Sequence, residues 1–95
     1  MNEISAQELE EQIAEIEGFQ VMITRGGRNV RNDKHGFCPW DGINRTKRDR
    51  TVSDFKKKFE EKYRGYSIEI IEVDGNIAHG NTKLENVREG YSNGN

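Results

Sequence analysis

Apolar side chains in this 95-residue chain come in short periodic bursts, and the bursts occur in the same order twice. Leu9, Ile13 and Ile16 recur at helical spacing, and Phe19, Val21 and Ile23 then alternate as on a strand. Val52, Phe55, Phe59 and Tyr63 repeat the helical pattern, and "YSIEIIEV" at 66–73 is dominated by the β-branched residues that strands favour. Between the two units lies a stretch, about 32–50, with no periodicity of its own. A chain patterned this way has two halves that share a helix-then-strand plan, without a residue-level repeat.

Local signals set the boundaries. Ser5 and Glu8 form a capping box, Ile4 is placed to staple onto Leu9, and Gly18 stops the first helix. Gly26-Gly27 suits a two-residue hairpin turn that returns "RNVR" as a polar second strand. Thr51 and Asp54 open the second helix, and Gly65 follows it as the stop. Asp74-Gly75 turns "YSIEIIEV" back into a return strand around "NIAH". Thr82 and Glu85 make a third capping box, for a short helix through Val87, and the tail 92–95 reads as frayed. The expected fold is a single α+β domain over 1–95, in the order αββ-loop-αββα. Its antiparallel four-stranded sheet carries two helices packed on one face, with a short third helix.

Charge is unevenly distributed along the chain. The formal net charge is −2, yet residues 1–20 hold six acids and no base, whereas residues 21–50 hold eight bases and three acids. Acidic ends around a basic middle point to a binding role more than to catalysis. A purely structural explanation, in which the acidic first helix lies on the basic segment, competes with it. The apolar runs are too short for a membrane-spanning helix, the N-terminus lacks a signal-peptide pattern, and a single Cys allows no internal disulfide.

Catalytic motifs are not found: there is no nucleophile elbow, P-loop or zinc-protease helix. Cys38 with His35 and His79 is a conceivable thiol–imidazole set, but Pro39 and Trp40 beside the thiol suggest packing. The same residues with Asp33 or Asp41 make a poor metal set, because one Cys cannot supply paired knuckles. The expectation is a non-enzymatic protein without a cofactor.

The basic residues are the strongest candidates for function. Arg25, Arg28 and Arg31 recur every three residues and Lys34 continues the spacing; Arg45, Lys47, Arg48 and Arg50 form a second cluster. Arginine's planar fork suits bidentate contacts to carboxylates or phosphates. Positive charge just before the second helix opposes its dipole, a conflict of about 0.3–1 kcal/mol that an anionic partner docking there would relieve. Trp40, the chain's one Trp, is either a core anchor pinning the loop or a binding hot spot that stacks on a partner. The two roles are compatible if Trp40 holds the loop while its arginines reach outward, and Gly36 and Gly42 let the loop bend around it.

The C-terminal half, "TVSDFKKKFEEKYRGYSIEIIEVDGN" followed by "HGNTKLENVREGY", resembles stretches of small bacteriophage and prophage proteins. Among these the chain is most similar to type I anti-CRISPR proteins in size, charge segregation and lack of enzyme motifs. The resemblance spans roughly residues 51–91 and transfers no site residue by position. It implies a stoichiometric inhibitor in the bacterial host cytoplasm that binds an RNA-guided CRISPR surveillance complex and blocks target DNA. The partners expected on that view are subunits of the effector ribonucleoprotein, with the guide-RNA backbone as a further contact. The acidic first helix, with Glu8, Glu10, Glu11, Glu15 and Glu17, would meet basic subunits or mimic DNA charge. The alternative is a direct DNA- or RNA-binding module using the same basic loop. A net negative charge and a sequence pI near 5.7 weigh against it. Monomer and dimer are both compatible with the narrow apolar stripes.

Overall fold

The computed structural model describes residues 3–40 and 44–93. Helix α1, Ala6–Glu17, starts at the expected capping box: Ser5 Oγ accepts from the Glu8 N–H at 3.2 Å and Glu8 Oε1 from the Ser5 N–H at 3.0 Å. It ends at Gly18, whose φ of 87° favours glycine. The buried row of α1 is Ala6, Leu9, Ile13 and Glu17, while Ile16 is only partly buried. The stripe therefore closes on a carboxylate rather than on an isoleucine.

Strand β1, Gln20–Arg25, turns through Gly26 and Gly27 at φ 60° and 79° into β2, Arg28–Asn29. Positive φ at both positions is what a type I′ hairpin requires. On its other side β1 pairs antiparallel with β3, Ser67–Ile71, placing Val21 opposite Ile70 and Ile23 opposite Ile68. These four side chains are buried and meet Leu9 and Ile13 of α1, and Phe55 and Phe59 of α2, Val52–Lys62. Thr51 and Asp54 make the second capping box as expected.

Among the described residues the sheet has three strands in the order β2-β1-β3 and there are three helices, which corrects the expected four-stranded sheet with two helices packed on one face. "NIAH" makes one bridge, Ile77 to Ile71, and Ile77 stays half exposed. The backbone shows why it is not a strand. Asp74 accepts from the Asn76 N–H, and after Ala78 the chain leaves the sheet edge to give the Gly80 and Thr82 carbonyls to the Ser53 and Val52 N–H groups. Carbonyls committed to capping α2 cannot extend a ladder. The last helix is likewise longer than the sequence suggested: α3 runs from Leu84 to Asn93 rather than stopping at Val87, and buries Leu84 and Val87. The expected frayed tail is thus helical through Asn93; its last two residues, like Asp41 and Gly42, lie outside the described residues.

The long loop builds structure by capping. Ile4 and Phe37 exchange two backbone hydrogen bonds at 2.8 and 3.2 Å, and the Ala6 and Gln7 N–H groups donate to Lys34 and Asn32. At the other end the Leu84 and Glu85 N–H groups donate to Arg50 and Arg48, so the cap expected from Thr82 is supplied by the loop. The N-terminus of α2 is capped by the segment before α3, and that of α3 by the segment before α2. Trp40 anchors the middle: its side chain is 1% exposed, and its ring stacks over Phe59 and Tyr63 at 6.2 and 6.1 Å.

Candidate functional site

The basic cluster after Trp40 is held in place by a buried carboxylate. Glu17 is fully buried at the end of α1, and its side chain accepts from the Thr46 N–H at 3.1 Å and the Thr46 hydroxyl at 3.1 Å. Arg88 of α3 reaches it from the other side, Nη2 to Oε1 at 2.8 Å, while its Nε donates to the Glu17 carbonyl. Lys58 of α2 completes the enclosure, with Nζ 3.9 Å from Glu17 and bonded to Thr46 Oγ1 and the Asn44 carbonyl. One carboxylate thereby ties α1, α2, α3 and the loop together. Buried charges persist when paired and hydrogen-bonded in this manner.

Fixing Thr46 leaves its neighbours facing solvent. Arg45, Lys47, Arg48 and Arg50 are all exposed, and among the described residues none of them has a carboxylate within ion-pair distance. Arg45, Thr46, Lys47 and Arg48 form one wall of a groove of about 500 Å³. The other wall is a single stripe of α3: Glu85, Arg88, Glu89 and Ser92. Arg50 lies around the corner in a second hollow with Asp54, Lys57, Lys58 and Glu61, and Thr46 borders both.

Arg45 and Arg88 both approach Gly18. A Cβ added to Gly18 would lie 2.8 Å from Arg45 Nη2 and 3.6 Å from Arg88 Cγ, so both side chains converge on that glycine. Burial holds the Arg88 pKa below the ordinary guanidinium value; the Arg45 charge pushes the same way and Glu17 opposes it. Arg88 is neutralised by Glu17, whereas Arg45 has no such partner among the described residues.

The first basic cluster is dispersed. Arg25 and Arg28 face each other across the β1–β2 turn, with the Arg25 guanidinium 5.4 Å from the Tyr66 ring centre. Arg31 pairs with Asp33 at 3.3 Å, and these two line a separate shallow hollow with Lys34. Trp40 is the loop's anchor, the first of the two roles open to it from sequence; its ring is buried and closed to a partner. The supposed open end of α2 is also closed, since the Val52 and Ser53 N–H groups are taken by Thr82 and Gly80. An anion there would find no free donors in the first turn. Nor is α1 a uniform acidic face: Glu17 is internal, and the half-buried Glu10 accepts from the Ile23 N–H at 2.9 Å. Glu8, Glu11 and Glu15 remain exposed.

Arg88, Glu85 and Glu89 were missing from the sequence-based site, and Glu17 was expected on an outward acidic face rather than inside. A signal existed for Glu17, a charge four residues after Ile13 on the apolar row. For the α3 residues the helix had been read too short. Cys38 is exposed and unpaired, and no group of three or more His, Cys, Asp and Glu among the described residues is placed to hold a metal. Among those residues no helix is long and apolar enough to cross a membrane.

Fold and site together define a small α+β domain that displays a pinned basic segment beside a mixed-charge helix. Comparison with protein-family models, curated proteins and solved structures returned no match.

Proposed function

We infer that the protein is a non-catalytic binding protein that docks its basic segment, Arg45–Arg50, on an acidic macromolecular surface. The observation that carries this reading is the Glu17–Thr46 anchorage, which presents arginines without a carboxylate partner among the described residues from a backbone already held in place. Preorganised charge loses less entropy on binding than a floppy tail does. A protein surface suits the site better than bare nucleic acid. Glu85 and Glu89 stand in the groove and repel phosphates, while Trp40, the natural stacking residue, is buried. The partner class we assign is the effector ribonucleoprotein of a CRISPR system, bound in the host cytoplasm by a stoichiometric inhibitor, in keeping with the anti-CRISPR resemblance.

Tagged protein is to be used as bait in a bacterial lysate containing such a complex, with and without nuclease. The expected result is recovery of one multisubunit ribonucleoprotein that survives nuclease, lost on replacing Arg45, Lys47, Arg48 and Arg50 with Glu. Recovery that disappears with nuclease would move the assignment to a direct DNA- or RNA-binding module. Such a module loses affinity steeply with salt, by about 10³-fold or more between low and moderate ionic strength when many phosphates are contacted.

A further inference from the structure

We propose that the groove between residues 45–48 and α3 is a peptide-binding site for a short, extended, acidic segment of the partner, with Arg45 as its carboxylate-recognition residue. The inference rests on the reading of this surface as a protein-docking site and goes on to name what enters it. Arg45 is exposed, lies against Gly18 and has no counter-ion among the described residues, although Glu85 and Glu89 line the same groove. Glu17 is already engaged by Arg88, Thr46 and Lys58, so it is not free to neutralise Arg45. An exposed guanidinium with no counter-ion among the described residues, close enough to Arg88 to affect its charge, suits a carboxylate, which it binds through parallel N–H···O bonds.

The helical wall argues for a peptide over a nucleic-acid strand. Glu85, Arg88, Glu89 and Ser92 lie on one stripe, spaced three, four and seven residues from Glu85. That stripe is about 10 Å long at the α-helical rise, the length of about three extended residues. Along it the charge alternates: acceptor, guanidinium, acceptor, hydroxyl. A peptide offers carboxylates to Arg45 and backbone N–H donors to Glu85 and Glu89. A phosphodiester strand has no backbone donor to offer the two glutamates, so their repulsion goes uncompensated, whereas the N–H groups of a peptide offset it. Among the described residues no apolar side chain lines the groove, and its walls include the methylene stems of arginine and lysine, which accept aliphatic Glu side chains.

The test is fluorescence anisotropy on the full chain at one ionic strength with two probes of four negative charges each, an N-terminally labelled, amidated tetra-glutamate and a tetrathymidylate labelled through a 5′ phosphodiester linker. The expected result is that tetra-glutamate binds at least about fivefold more tightly, and that Arg45→Ala weakens it by about fivefold, as loss of a half-exposed charged pair requires. Arg45→Lys should restore only part of it, because an ammonium lacks the fork. Because Arg88 also supports the fold, Glu85→Gln with Glu89→Gln is the second variant. It should raise tetrathymidylate affinity by at least about threefold with an unchanged circular dichroism spectrum. Equal or tighter binding of tetrathymidylate by the native chain would overturn the peptide assignment, and so would tetra-glutamate binding indifferent to Arg45→Ala, or its absence. Capture of the ribonucleoprotein with no tetra-glutamate binding would sink the groove alone. Tetra-glutamate binding without capture would sink the ribonucleoprotein reading and leave the groove standing.

Discussion

Glu17 concentrates more of this molecule's energetics than any other charged residue. It has lost its solvent to three hydrogen-bond donors and the Lys58 charge 3.9 Å away, and removing one partner of a buried pair leaves the other uncompensated, at a cost of about 3–5 kcal/mol. Glu17→Gln keeps the shape and removes the charge; urea unfolding should show a loss of about 3 kcal/mol, with faster amide exchange at Thr46. Trp40→Ala should cost a similar amount, about 3–5 kcal/mol, because the ring fills the core between Phe55, Phe59 and Tyr63. Glu10 behaves in the opposite sense to a paired acid. Burial raises its pKa against the opposing Ile23 N–H, so the folded state holds the proton more tightly than the unfolded chain. That contribution is present at low pH and is lost as pH rises from the ordinary carboxylate value through the raised one. The stability advantage of Glu10→Gln over the native chain should therefore grow as pH is raised from about 4 to about 7, measured by urea titration at each pH.

Elements were legible where their signals were local. The capping boxes at Ser5–Glu8 and Thr51–Asp54, the Gly26-Gly27 turn, β1 and β3 all stand where short-range rules put them. Ser5→Ala and Thr51→Ala should each cost about 1 kcal/mol in thermal or urea unfolding. Hydrogen bonds to the Ser5 and Thr51 N–H groups hold the Glu8 and Asp54 carboxyls below their ordinary pKa values. Their stabilisation is accordingly lost as pH falls from the ordinary range to the lowered folded-state values. The fourth strand failed because alternation in "NIAH" is also what a capping segment with an inward Ala78 looks like. Which it becomes depends on whether the Gly80 and Thr82 carbonyls face a strand or the N-terminus of α2, and that is a matter of distant chain. Ile77→Ser tests the correction: a half-exposed side chain off the sheet should change stability by less than about 0.5 kcal/mol, where a core strand position would cost several times more.

At the scale of the whole molecule, reversing Arg45, Lys47, Arg48 and Arg50 to Glu should leave the unfolding free energy within about 1 kcal/mol of the native value while abolishing partner capture, since exposed charges contribute little to folding. Half of the candidate site could be seen in advance: the second arginine cluster, and the idea that the loop around Trp40 is held while its charges face outward. The other half, the α3 stripe with Arg88, Glu85 and Glu89, lies about 40 residues downstream and carries no local mark that associates it with Arg45. The separation of the first basic cluster from the second was equally hidden, because spacing along a chain says nothing of which residues a turn carries away. The amino-acid sequence by itself determined the helix starts, the hairpin turn, the apolar rows and the binding-type charge pattern, since each follows from contacts within about one helical turn or one strand pair. Only the tertiary structure decided that Trp40 faces inward, that Glu17 is internal and that Arg45 from mid-chain and Arg88 from the C-terminal helix share one groove. Burial and ion pairing are settled by which surfaces meet, and those surfaces are brought together only when helices, loop and sheet pack against one another.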